Sequence, residues 1–68
     1  MKNLKLKAAR AGKDMSQDDL AKLVGVSRQT ISSIENGRCT PSLELAFDIS
    51  YLLNMPMSEI FLYENRFE

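Results

Sequence analysis

Apolar residues recur at intervals of three and four through most of the chain, the spacing of helix faces rather than of strands. Leu6 and Ala9 mark one such face, Leu20, Ala21 and Val24 a second, Ile31 and Ile34 a third, and Leu43, Ala46, Ile49 and Leu53 a fourth. The residues between these faces are helix starts and stops. A first helix is predicted over residues 4–13, with Gly12 weakening its last turn and Asp14, which tolerates the left-handed conformation, ending it. The second starts at Ser16, where S-Q-D-D reads as a capping box with Asp19 in the place usually held by Glu or Gln, and runs to Val24 before Gly25 stops it. The third lies between Ser27 as N-cap and Gly37 as stop. Ser42 caps the fourth and Asn54 ends it, after which Pro56 opens a short fifth helix through Ser58 to Leu62 that sends Ile60 and Phe61 into the core. This is an all-α pattern, with residues 62–68 open to pairing as a short strand beside residues 2–6.

Only Gly25, Val26 and Ser27 separate the second and third helices, so the two must cross steeply instead of lying antiparallel, which is helix-turn-helix geometry. Ala21 supplies the small side chain that such a crossing needs, and Val26 plugs the inside of the turn. On the third helix, Arg28, Gln29, Ser32, Ser33 and Asn36 fall within an arc of roughly 140°, with Ile31 and Ile34 almost opposite. One face is anchored and the other is presented. Arg, Gln, Ser and Asn are the side chains that pair with base edges and phosphate oxygens in the DNA major groove.

The chain's 68 residues suit one small domain, with the helix-turn-helix over about residues 16–37 and a dimerisation region over about 47–68, and leave no room for a sensor or catalytic domain. Net charge is zero, yet residues 1–38 carry eight basic and four acidic side chains, a net of +4, whereas residues 39–68 carry one basic and five acidic, a net of −4. The basic half contains the presented helix, as phosphate binding requires. There is no His, no metal-spaced Cys cluster and no Gly-rich phosphate loop, and the lone Cys39 lacks a base partner, so an enzyme is not expected. Cys39 reads as a plain reduced thiol and Met15, Met55 and Met57 as gap fillers. With no signal peptide or apolar span of membrane length, the expected place is the cytoplasm, away from any membrane.

The run S-Q-D-D-L-A-K-L-V-G-V-S-R-Q-T-I-S-S-I-E-N-G-R, followed by P-S-L-E-L-A, resembles the helix-turn-helix of the phage repressor and Cro family of transcriptional regulators over about residues 6–61. In size and in its ending S-E-I-F-L-Y the chain is similar to the small stand-alone class that includes the cytolysin repressor. The resemblance implies a five-helix repressor-like DNA-binding domain. It implies base contacts from Arg28, Gln29, Ser32 and Ser33 and phosphate contacts from Gln17, Ser27, Thr30, Asn36 and Arg38. It further implies an ion pair between Arg10 and Glu35 that ties the first helix to the third. Asp14 departs from the Gly that usually ends the family's first helix, and the loop Cys39, Thr40, Pro41, Ser42 lacks the Arg that some members insert into the minor groove.

The expected partners are double-stranded DNA and a second copy of the chain, with no cofactor, metal or small-molecule ligand. Phe47, Tyr51, Leu62, Tyr63 and Phe67 supply more apolar and aromatic surface than so small a core buries, which marks them, together with Ile60 of the fifth helix, as a dimer interface. The expected mechanism is repression by occupancy of a palindromic operator. Two alternatives stay open: an antitoxin that autoregulates a toxin operon, and a protein-interaction module that does not bind DNA.

Overall fold

A computed structural model describes residues 2–61, and over them the chain forms α1 (Leu4–Gly12), α2 (Gln17–Val24), α3 (Arg28–Glu35), α4 (Leu43–Leu53) and α5 (Met57–Ile60), with no strand among the described residues. Four of the five begin at a side-chain cap. The Oδ1 of Asn3 accepts from the Leu6 N–H, and the hydroxyls of Ser16, Ser27 and Ser42 accept from the N–H groups of Asp19, Thr30 and Leu45. At α2 the box is reciprocal, since the Asp19 carboxylate also accepts from the Ser16 N–H at 3.0 Å.

The stops follow from backbone sign. Gly25 has φ 75 with open space where a Cβ would stand, so it is the left-handed backbone and not crowding that calls for glycine there. Asp14 (φ 56) and Asn54 (φ 53) take the same conformation as the two residue types that tolerate it best after glycine. After α3, the Gly37 N–H donates to the Ile34 carbonyl and the Arg38 N–H to the Ser33 carbonyl, a Schellman closure with Gly37 at φ 74.

The core gathers one face of every helix: Leu6 from α1, Leu20 and Ala21 from α2, Ile31 and Ile34 from α3, Ala46, Ile49 and Leu53 from α4, and Ile60 from α5, joined by Met55 from the turn before it. Ala9, Val24, Val26 and Phe61 pack against this cluster. Each fully buried Leu or Ile contributes about 1.5–3 kcal/mol, which matters because helices of eight or nine residues do not hold together on propensity alone. At the α2–α3 contact Ala21 is 1% exposed, so a larger residue there would overpack the crossing at about 1–3 kcal/mol.

The structure corrects four expectations. Leu43 is 73% exposed instead of inward, because it lies about 90° round α4 from the centre of the face formed by Ala46, Ile49 and Leu53. The fifth helix is shorter than 56–62: Pro56 is its cap and Phe61 turns extended (φ −86, ψ 102), ending it at Ile60. Residues 2–6 do not offer a strand, since Leu4, Lys5 and Leu6 are helical; the other half of that pair, residues 62–68, lies outside the described residues. Ile60 is 2% exposed and belongs to the core, where α5 folds back on α4 and α1, so it presents nothing to a partner.

Candidate nucleic-acid interface

The presented face of α3 is built from both of its ends. At the start, the Ser27 hydroxyl caps the helix and lies 3.1 Å from the Thr30 hydroxyl, so the two form a hydrogen-bonded pair at the helix N-terminus. At the far end, Asn36 donates from Nδ2 to the Ser32 hydroxyl at 3.3 Å, which holds the amide over the last turn. Between them Arg28 and Gln29 are exposed, and Ser32, Ser33 and Thr30 are half-buried. Arg38 is also exposed, in the loop that the Schellman closure turns away from the helix axis. Neither Arg28 nor Arg38 enters an ion pair among the described residues, so both cations are available to an external anion. The two serines keep the centre of the face low, flanked by longer polar side chains.

Behind this face sits a charged cluster. Arg10 from α1 donates through Nε to Glu35 Oε2 at 2.8 Å and through Nη2 to Glu35 Oε1 at 3.4 Å, a fork on a carboxylate whose side chain is 3% exposed. A third guanidinium bond reaches the Met15 carbonyl in the turn before α2. Gln17, in the first turn of α2, donates from Nε2 to Glu35 Oε1 at 3.2 Å. Three helices therefore converge on one carboxylate, and no buried side-chain N or O among the described residues lacks a hydrogen-bond partner. The structure thus brings together Arg10, Gln17 and Glu35, and sets Arg28, Gln29, Ser32 and Asn36 along the accessible side of α3.

On the exposed side of α2, the Asp19 carboxyl is held below the ordinary carboxylate range, first by the Ser16 backbone N–H and then by the Ser16 hydroxyl. No group of three or more His, Cys, Asp or Glu residues is placed to hold a metal among the described residues. Cys39 is free and exposed. Of the residues singled out for a dimer contact, Phe47 is 64% and Tyr51 81% exposed, while Leu62, Tyr63 and Phe67 lie outside the described residues.

Sequence reasoning missed Asn3 altogether. It is 1% exposed and ties three helices: its N–H donates to the Glu35 carbonyl at 2.7 Å, its Oδ1 caps α1, and its Nδ2 donates to the Glu59 and Ile60 carbonyls at 2.9 and 3.3 Å. An Asn immediately before the first apolar-periodic residue was the available signal.

A helix-turn-helix family model matches residues 6–60, which span all but the ends of the described structure. The chain belongs to the helix-turn-helix transcriptional regulators. An uncharacterized regulator of this type from Methanocaldococcus jannaschii is 52% identical over 65 residues, covering 96% of this chain and 97% of that one. The regulator YgzD of Bacillus subtilis is 45% identical over 64 residues, with 94% and 96% covered. Among solved structures, the restriction-modification controller protein C.AhdI of Aeromonas hydrophila superposes with a TM-score of 0.75 at 29% identity, covering 87% of this regulator and 89% of the controller. The regulator is thus a DNA-binding protein in class and not an enzyme. No helix among its described residues is long and apolar enough to cross a membrane.

Proposed function

We propose that the regulator is a cytoplasmic repressor that binds a palindromic operator as a homodimer, with α3 lying in the major groove. The observation that carries this reading is the accessible polar face of α3, backed by a buried apolar face and closed at both ends by caps. Gln29 reads a base through its free carboxamide, adenine being the geometrical match, and Arg28 reaches guanine or the neighbouring backbone. Ser32 and Ser33 let the helix sit deep and offer hydroxyls to base edges. Gln17, Ser27, Thr30, Asn36 and Arg38 grip phosphates on either side, the N-terminus of α2 reinforcing Gln17.

Two copies are needed because one small domain contacts only a few base pairs, whereas two-fold pairing sets recognition helices one DNA turn apart, about 34 Å. Exposed Phe47 and Tyr51, one helical turn apart on α4, support a contact there. Selection of bound duplexes from a random pool tests the whole reading. A two-fold symmetric consensus with half-sites one turn apart is expected, and failure to enrich any sequence would replace it with the interaction-module reading.

A further inference from the structure

Gln17 and Glu35 meet where α2 abuts the end of α3, the Gln17 Nε2 donating to Glu35 Oε1 at 3.2 Å while Arg10 holds both carboxylate oxygens. Chemistry decides which way this carboxamide turns. Paired with Arg10, the Glu35 carboxylate has only acceptors to offer, so the amide nitrogen of Gln17 faces it and the amide oxygen does not. One of the two Nε2 hydrogens is engaged by Glu35. The other remains on the nitrogen end of the amide, on a half-buried side chain that retains contact with solvent.

We infer that Glu35 is a positioning residue for DNA binding. Through Oε1 it fixes the nitrogen end of the Gln17 carboxamide, so that the second N–H is offered to a phosphate oxygen and the carbonyl, which would repel that oxygen, is turned away. This rests on the reading of Gln17 as a phosphate contact. It adds to the ion pair a role that stability alone does not measure: Arg10 anchors Glu35, Glu35 orients Gln17, and Gln17 meets the DNA.

Glu35→Gln separates the two roles. The Arg10 Nε bond to Oε2, at 2.8 Å, is much the shorter of the two, so the substituted amide keeps its oxygen in the place of Oε2 and turns its NH2 into the place of Oε1, toward Gln17. Two NH2 groups cannot hydrogen-bond each other, and Gln17 must flip, placing an acceptor where the phosphate donor stood.

The first arm of the test is NMR of the side-chain amides in the full wild-type chain, with exposed Gln29 as internal reference. Gln17 should show two well-separated Nε2 protons with slowed solvent exchange, and Glu35→Gln should shift both. If the wild-type Gln17 protons behave like those of Gln29, the positioning role is overturned without recourse to any variant. The second arm measures binding to a mixed-sequence duplex spanning about two helical turns at low salt. Gln17→Ala and Glu35→Gln should each weaken binding roughly three- to tenfold, and the double variant should bind no worse than Gln17→Ala. Additive losses in the double variant would overturn the coupling. Wild-type affinity for Gln17→Ala, with the NMR signature intact, would instead remove Gln17 from the phosphate contacts and the positioning role with it.

Discussion

The Asn3 N–H donates to the Glu35 carbonyl at 2.7 Å, so the last residue of α3 is held at its backbone by the start of α1 and at its side chain by Arg10 from the other end of α1. The orientation of α3 is thereby referred to α1 as a rigid strut. The same Asn3 side chain reaches the carbonyls at the end of α5, which places the ends of α3 and α5 on one polar hub.

Replacing Asn3 with Ala removes a cap and leaves the Glu59 and Ile60 carbonyls without this donor, and should cost about 2–3 kcal/mol. Urea unfolding reads this directly. A wild-type midpoint would mean that water replaces the amide without loss.

Glu35→Ala strands the Arg10 guanidinium, 11% exposed, and should destabilise the fold by about 3–5 kcal/mol. Replacing both members of the pair with apolar residues of similar volume should recover much of that loss, since neither charge is then left unpaired. Equal destabilisation by the single and double changes in thermal unfolding would contradict the argument.

Gln29→Ala should weaken the best site by about 1–3 kcal/mol with little effect on random DNA, the signature of a base-edge contact. Arg38→Ala should weaken all sequences alike and flatten the salt dependence of log K by about 0.9, the increment for one phosphate. Titrations on specific and random duplexes at several salt concentrations distinguish the two. Uniform weakening by Gln29→Ala would move that residue to the backbone contacts.

The Asp19 carboxyl is depressed in the folded protein by its bonds to Ser16, so the stability it lends is present above the unfolded-state value, near 3.9, and is lost as pH falls through the folded value. Wild-type stability should therefore decline more steeply than that of Asp19→Asn on going from about pH 5 to pH 2. Parallel curves in chemical denaturation would show that the capping box does not discriminate between the two protonation states.

In the proposed homodimer, Phe47→Glu places a carboxylate on the exposed face of α4 one turn from Glu44 and should give a monomer in sedimentation at micromolar concentration, leaving the fold intact. An undisturbed dimer would take α4 out of the contact.

Much of this was legible in the residues because caps and stops are local. Ser16, Ser27, Ser42, Gly25, Gly37, Asp14 and Asn54 each act within a few residues of themselves, and each does in the structure what its chemistry predicts. Apolar periodicity located the core faces for the same reason. It misplaced Leu43 because periodicity gives the phase of a stripe but not where the neighbouring elements stop covering it. The Gln17 to Glu35 bond and the bonds of Asn3 to Glu35, Glu59 and Ile60 were not legible, since they join residues from different helices and depend on the docking of short segments that no local pattern encodes.

The convergence of α1, α2 and α3 on Glu35 bears on how the molecule opens. Helices of eight and nine residues fall below the roughly 12–15 needed to persist alone in water, so none can detach and survive as a helix. Freeing α3, which carries Glu35, breaks the bonds of Arg10 and Gln17 together, and freeing α1 or α2 breaks one of them and uncovers the core that all three helices share. The interior amides of the three helices should therefore exchange with deuterium at a common slow rate, set by opening of the whole domain, and the polar face of α3 should have no partly melted state of its own.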